Sequence, residues 1–224
     1  MRLAYLVFML LFTRRPIRTF SARCTCSGSL RYGALFSLLF LGGLIPSCAQ
    51  TGSFTIWKGG ERVGNLSVAR TYEGDRIRYT MNSLSTVEVM LWTKIVRTAL
   101  TAEYVGNTLE ACGSSVHLND VMQDSSSMRT DAGIAKGYVH PGRKMNGGNG
   151  NAWTTARMYY EEPVGQETIY VESVLGDRPL ERLAPGVYRL LLPDGKVNRY
   201  VYTLGVLQEV QVDRTFFDLV FRRI

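Results

Sequence analysis

The chain has 224 residues, 26 basic and 19 acidic, with a formal net charge of +7. That length fits one domain with a core large enough to stand without disulfide or metal staples. Residues 1–49 hold six arginines and no acid, so the rest carries 20 basic against 19 acidic groups, and this near-neutral balance excludes a basic-patch nucleic-acid binder.

The first predicted elements are two apolar runs, Leu3 to Phe12 and Ala34 to Ile45, separated by Arg14, Arg15, Arg18 and Arg23. The second is too short for a bilayer span of roughly 20 residues, and it fits a signal-peptide h-region of about 7–15. Arg31 precedes it, Pro46 stops it, and Ser47-Cys48-Ala49 supplies small residues at the −3 and −1 places. Cleavage is predicted between Ala49 and Gln50, which makes 1–49 a leader and 50–224 a single exported β-rich domain. The expected location is the periplasm or the exterior. The rival reading is a lipobox at Ile45-Pro46-Ser47-Cys48, in which Cys48 is lipidated and anchors the protein to the outer membrane. Thr13-Arg14-Arg15 hints at a twin-arginine signal but stands far from the h-region. A mitochondrial transit peptide would lack the terminal apolar block. Initiation at Leu30 would explain the doubled apolar run. So would a first-segment anchor with the second run hairpinned in the membrane. Membrane contact is expected only through the leader or through a lipidated Cys48.

Once the leader is removed, Cys112 is the one remaining cysteine, so no internal disulfide and no zinc spacing survives. The mature chain is dominated by period two, the mark of half-buried strands. Strands are predicted over Phe54 to Lys58, Val63 to Tyr72, and Ile77 to Asn82, where apolar and polar residues alternate strictly. They continue over Val87 to Leu91, Ile95 to Tyr104 and Thr108 to Leu118. Residues 119–151 read as the irregular part, holding either a weak hairpin around Ile134 to His140 or a mobile lid. Ala152 to Tyr160 places Trp153, Ala156, Tyr159 and Tyr160 at spacings near three and four, which predicts a short helix stopped by Pro163. Thr168 to Val174 is a strand. Val187 to Leu192 and Val197 to Leu204 flank Pro193-Asp194-Gly195, the clearest hairpin turn in the chain. Val206 to Ile224 reads as one long strand whose apolar parity switches, which places a β-bulge near Asp213 to Phe216. The fold class is therefore all-β and mainly antiparallel: a curved meander or half-barrel of about ten strands with one short helix.

Catalytic patterns are weak. His117 and His140 lack neighbours at metal-ligand spacing, so neither a metal nor a cofactor is expected. Cys112 and His117 have opposite parity on one strand. Glu161-Glu162 reads as the solvated end of the helix, because adjacent carboxylates do not converge on a substrate. Gly147-Gly148-Asn149-Gly150 lacks the Lys-Ser/Thr of a phosphate loop, and Asn65-Leu66-Ser67 matches a glycosylation sequon. No catalytic residue is assigned, and the protein is read as a nonenzyme. Aromatics recur on the strands, and core filling explains them first. The sharper reading has a curved sheet whose rings line a concave apolar pocket, with Trp153, Tyr159, Tyr160, Tyr200 and Tyr202 as its ligand-binding residues.

The opening Gly59-Gly60-Glu61-Arg62-Val63-Gly64, then Tyr159-Tyr160-Glu161-Glu162-Pro163, then Leu192-Pro193-Asp194-Gly195 with Asn198, Tyr200, Tyr202 and Gly205, carry a resemblance over residues 52–214. Together they resemble an uncharacterised family of exported proteins from Bacteroidota. The resemblance implies an exported all-β domain of unknown function and, by looser analogy, a sheet wrapped around a helix as in periplasmic lipoprotein carriers. The long double leader and the Gly/Asn-rich stretch before Trp153 depart from it. The favoured function is an exported noncatalytic β-domain that binds an apolar or envelope-derived ligand. The alternative is a structural or interaction module of the cell envelope with no pocket.

Overall fold

The computed structural model describes residues 49–89, 92–147, 153–193, 195–213 and 218–224. Residues 1–48, the h-region and Cys48 included, lie outside the described residues, whereas Ala49 and Gln50, the predicted cleavage pair, open β1. Eight strands form the first meander: β1 (Ala49–Lys58), β2 (Glu61–Glu73), β3 (Arg76–Val89), β4 (Trp92–Val105), β5 (Thr108–Leu118), β6 (Val121–Asp131), β7 (Ile134–His140) and β8 (Arg143–Gly147). Six more form the second: β9 (Thr168–Val171), β10 (Gly176–Ala184), β11 (Val187–Leu191), β12 (Val197–Thr203), β13 (Val206–Val212) and β14 (Leu219–Arg223). All strand pairs are antiparallel, in the order β8-β7-β6-β5-β4-β3-β2-β1-β14-β13-β12-β11-β10-β9. The first and last strands meet in the middle, where Phe54 pairs with Arg223 and Trp57 with Val220.

Period two sorts the side chains to two faces. Phe54, Ile56, Leu66, Val68, Tyr79 and Tyr104 are buried on one face, while Ser67, Asn82 and Thr101 of the same strands are exposed on the other. The second meander buries Tyr188, Leu190, Tyr200, Tyr202 and Val210 in one cluster with Phe54, Ile56, Leu66 and Val68, while Tyr79 and Tyr104 pack in a second cluster with Ala102, Leu109 and Tyr170. Residues 153–160 are buried or half-buried and bond to strands of both meanders: Tyr104 Oη donates to Thr154 Oγ1 at 2.9 Å, and Tyr202 Oη to the Met158 carbonyl at 2.6 Å. One short segment can reach both wings only if the sheet curves around it, so the half-barrel holds a plug made from its own chain.

Three expectations change. The sheet has fourteen strands among the described residues: the stretch read as irregular carries β6, β7 and β8, β10 has no counterpart among the predicted elements, the last strand is two, and Ile77 to Asn82 shares β3 with the start of Val87 to Leu91. The turns of the stretch read as irregular use residues at positive φ: Asn119 and Asp120, then Ala132 and Gly133, the backbone that two-residue hairpin loops require. The last long strand is instead a hairpin, with Val212 opposite Leu219; the parity switch marks a reversal of the chain rather than a bulge, and residues 214–217 lie outside the described residues. The helix reduces to one 3-10 turn, Arg157–Tyr159. Its first residues pair with a strand instead: Tyr170 N donates to the Trp153 carbonyl at 2.8 Å, and Thr155 N to the Tyr170 carbonyl at 3.3 Å. The β-branched Thr154 and Thr155 favour that extended geometry.

The turn into Gly195 fits its reading, with Gly195 N donating to the Leu192 carbonyl at 3.1 Å and Gly195 at φ +79 with open space where a Cβ would stand; Asp194 lies outside the described residues. Gly195→Val is therefore expected to cost only the backbone term, roughly 1–2 kcal/mol, seen as a fall of a few degrees in a thermal melt. An unchanged melting temperature would refute that assignment.

Candidate functional site

The five aromatics named from the sequence come together on the concave side, but as packing. Tyr159, Tyr200 and Tyr202 are at most 5% exposed, and Trp153 and Tyr160 are half-buried at the rim. Tyr159 meets Phe54 edge-on at 5.4 Å between ring centroids, and Tyr202 meets Tyr188 at 5.7 Å. Met158 is fully buried in the same cluster, and Ala156 is fully buried beside Tyr104 and Leu109 in the second one. The chain's own plug thus occupies the space expected for an apolar ligand.

Two polar latches hold the plug, and neither was legible as such. Glu161 is the first. Its Oε1 accepts from Arg70 Nη1 at 2.8 Å and from Tyr79 Oη at 3.1 Å, while its Oε2 accepts from Arg157 Nε at 2.9 Å. Arg70 lies over the rings of Tyr160 (5.0 Å) and Tyr72 (5.3 Å). Arg157 lies 4.3 Å from the Trp153 ring centroid and donates to Asn107 Oδ1 at 3.0 Å. Cations stacked on aromatic faces this way gain from the ring quadrupole. The neighbouring Glu162 turns to the other wing and accepts from Tyr188 Oη at 2.8 Å. The pair read as a solvated helix end is in fact divided between the two meanders. Burial, reinforced by the Glu161 charge, pushes the Tyr79 hydroxyl up to about 12, and burial likewise lifts Tyr160 to about 12. Both remain neutral donors at ordinary pH.

Glu172 is the second latch, and it is completely buried. Thr155 Oγ1 donates to its Oε2, and the Ala156 N–H donates to its Oε1 at 3.0 Å. Its own carbonyl accepts from Ser126 Oγ of β6 at 2.6 Å. Burial raises its carboxyl above the ordinary value of 4.5. The same desolvation pushes the Cys112 thiol up, away from the thiolate form that nucleophilic attack uses. Cys112 sits opposite Ala102 and Met128, whereas His117 sits opposite Arg97 and Met122, so no Cys–His pair forms. Among the described residues no group of His, Cys, Asp and Glu is placed to hold a metal.

Two open grooves lie on the outer face. One, of about 640 Å³, is lined by Gly113, Ser127, Arg129, Lys136 and Tyr138. The other, of about 650 Å³, is lined by Ser67, Asn82, Ala99, Ser115 and His117.

A family model described as "Domain of unknown function (DUF6134)" matches residues 54–224. No curated protein matches the sequence. Among solved structures, the chain is similar to a β-barrel-like protein of domain of unknown function DUF1849 from Brucella abortus. That similarity has 8% identity and a TM-score of 0.47, and it covers 78% of this chain and 95% of the other.

Proposed function

The chain belongs to the DUF6134 family, and from that premise and the plugged half-barrel we propose that it is an exported, noncatalytic interaction module of the cell envelope. The supporting observation is the interior itself: Ala156 and Met158 at 0% exposure and Tyr159 at 4% fill the concave side with the protein's own side chains. The leader supports export to the periplasm or the exterior. A second reading keeps the plug as a displaceable lid over an apolar ligand, by analogy with periplasmic lipoprotein carriers. It draws on the half-buried Trp153 and Tyr160 at the rim and on the ionic latch at Glu161, which water can re-solvate.

Tryptophan fluorescence separates the two. The chain has three tryptophans, Trp57, Trp92 and Trp153. In a Trp57→Phe/Trp92→Phe variant, Trp153 alone reports on the plug. Titration with monomeric fatty acid or lysophospholipid should leave its emission unchanged if the plug is a permanent core element. A saturable shift would overturn the interaction-module reading and select the lid.

A further inference from the structure

The strongest unassigned feature is one end of the first meander. β1, β3 and β5 run the same way, so the turns that follow them share that end. There Trp92 is 70% exposed, Val121 62%, Met122 51%, Leu84 49% and Ile95 38%. The two hairpin ends are fixed side by side: Asn119 N donates to the Ile95 carbonyl at 2.8 Å, and Ile95 N to Asn119 Oδ1 at 2.9 Å.

Register assigns the faces. The pairing of β3 with β4 runs unbroken from Arg76 opposite Val105 to Val89 opposite Trp92. Trp92 therefore lies on the side of the buried Ala102 and Tyr104, whereas Leu84 and Ile95 lie on the outer side. Val121 pairs with Leu118, and Met122 pairs with His117 in the Arg97 row, so Val121 is inward and Met122 outward. Exposed apolar side chains therefore stand on both faces of the described part of this end. A protein partner stacked on one face would leave the other in water, but the interfacial layer of a bilayer surrounds a tip on all sides. Lys94 supplies the cation beside the exposed indole, its Nζ 5.9 Å from the Trp92 ring centroid, while Arg97 is paired with Asp120. Lysine stems can lie along apolar surface while their ammonium groups reach headgroups, and tryptophan favours the membrane–water interface.

We propose that the end of the sheet bearing Trp92, Ile95, Val121 and Met122 docks into the interface of a phospholipid bilayer. The tip lies at the far end of β1 from Ala49, because Ala49 and Lys58 stand at opposite ends of that strand, about 30 Å apart at the rise of an extended strand. The contact holds whichever reading of the plug is right.

The test uses the full chain with Trp57→Phe and Trp153→Phe, leaving Trp92 as the probe. Vesicles of phosphatidylcholine and phosphatidylglycerol, three to one, carry brominated acyl chains. Trp92 emission should fall at least about twofold and move to shorter wavelength, because apolar surface leaves water on docking. Val121→Ser with Met122→Ser, both exposed and so compatible with folding, should move the titration midpoint about tenfold to higher lipid. A Trp153-only chain should stay unquenched. An unquenched Trp92 in a chain that sediments with vesicles would overturn the proposal, since the leader alone would then hold it. So would equal quenching of Trp153, or a midpoint unmoved by the double substitution.

Discussion

Glu172→Ala is expected to lower the unfolding free energy by about 3 kcal/mol, from an acceptor lost to two buried donors and a void where the side chain stood. The Thr155 hydroxyl and the Ala156 N–H both point at this carboxyl, and no water reaches a side chain that is completely buried. Glu172→Gln should stay within about 1 kcal/mol of the parent at pH 5, because its carbonyl can take the Ala156 bond and its amide can face Thr155. The informative difference is in pH. The folded carboxyl titrates above its ordinary value of 4.5 because burial disfavours the charge. The folded state then binds more protons than the unfolded state between the two values, and stability falls as pH rises through that window. The contribution is full below 4.5 and is lost once the pH exceeds the raised folded value. Urea unfolding from pH 4 upward should show the parent losing stability relative to Glu172→Gln. Parallel curves would mean that Glu172 titrates normally and is not sealed from water.

That latch shows where the sequence could and could not be read. Strands such as Ile77 to Asn82 were legible because one face meets a core and the other meets water, and alternation records that directly. The hairpin at Gly195 was legible because its backbone demands a residue that tolerates positive φ. Ser125, Ser126 and Ser127 hid β6, because serines mark loops by composition. In place, Ser126 bonds inward to the Glu172 carbonyl while Ser127 is exposed, an alternation invisible when neighbours share one side chain. Trp153, Ala156, Tyr159 and Tyr160 have helical spacing, yet their burial follows from crossing two wings of a sheet, and backbone pairing with Tyr170 overrode the helix. Glu172 follows Ile169, Tyr170 and Val171, all buried, and local pattern alone would place the acid at a solvated strand end. Its donors lie 16 and 17 residues upstream and meet it only after the chain has turned back.

Gly186→Val should prove at least twice as costly as Gly195→Val, and comparing the two separates backbone strain from crowding. Both glycines sit in turns at similar positive φ, +73 and +79, so the conformational term is common to them at roughly 1–2 kcal/mol. Their surroundings differ. A Cβ at Gly195 meets nothing within 4 Å, whereas one at Gly186 would stand 2.6 Å from the Tyr202 carbonyl oxygen. That oxygen is backbone and cannot swing aside. The same two residues are also tied by the Tyr202 N–H donating to the Gly186 carbonyl at 2.7 Å. Driving the turn away from β12 should add about 1–3 kcal/mol of overpacking, for a total near 2–5 kcal/mol. The damage should also reach the plug, because Tyr202 Oη holds the Met158 carbonyl and its ring packs on Tyr188. Gly186→Ala should share most of the loss, since the clash begins at Cβ, while Gly195→Ala should show the backbone term alone. Denaturant midpoints at constant slope would measure all four. If the substitutions at Gly186 cost no more than those at Gly195, the turn can yield without moving Tyr202, and the seam joining β12 to the plug is looser than its geometry implies.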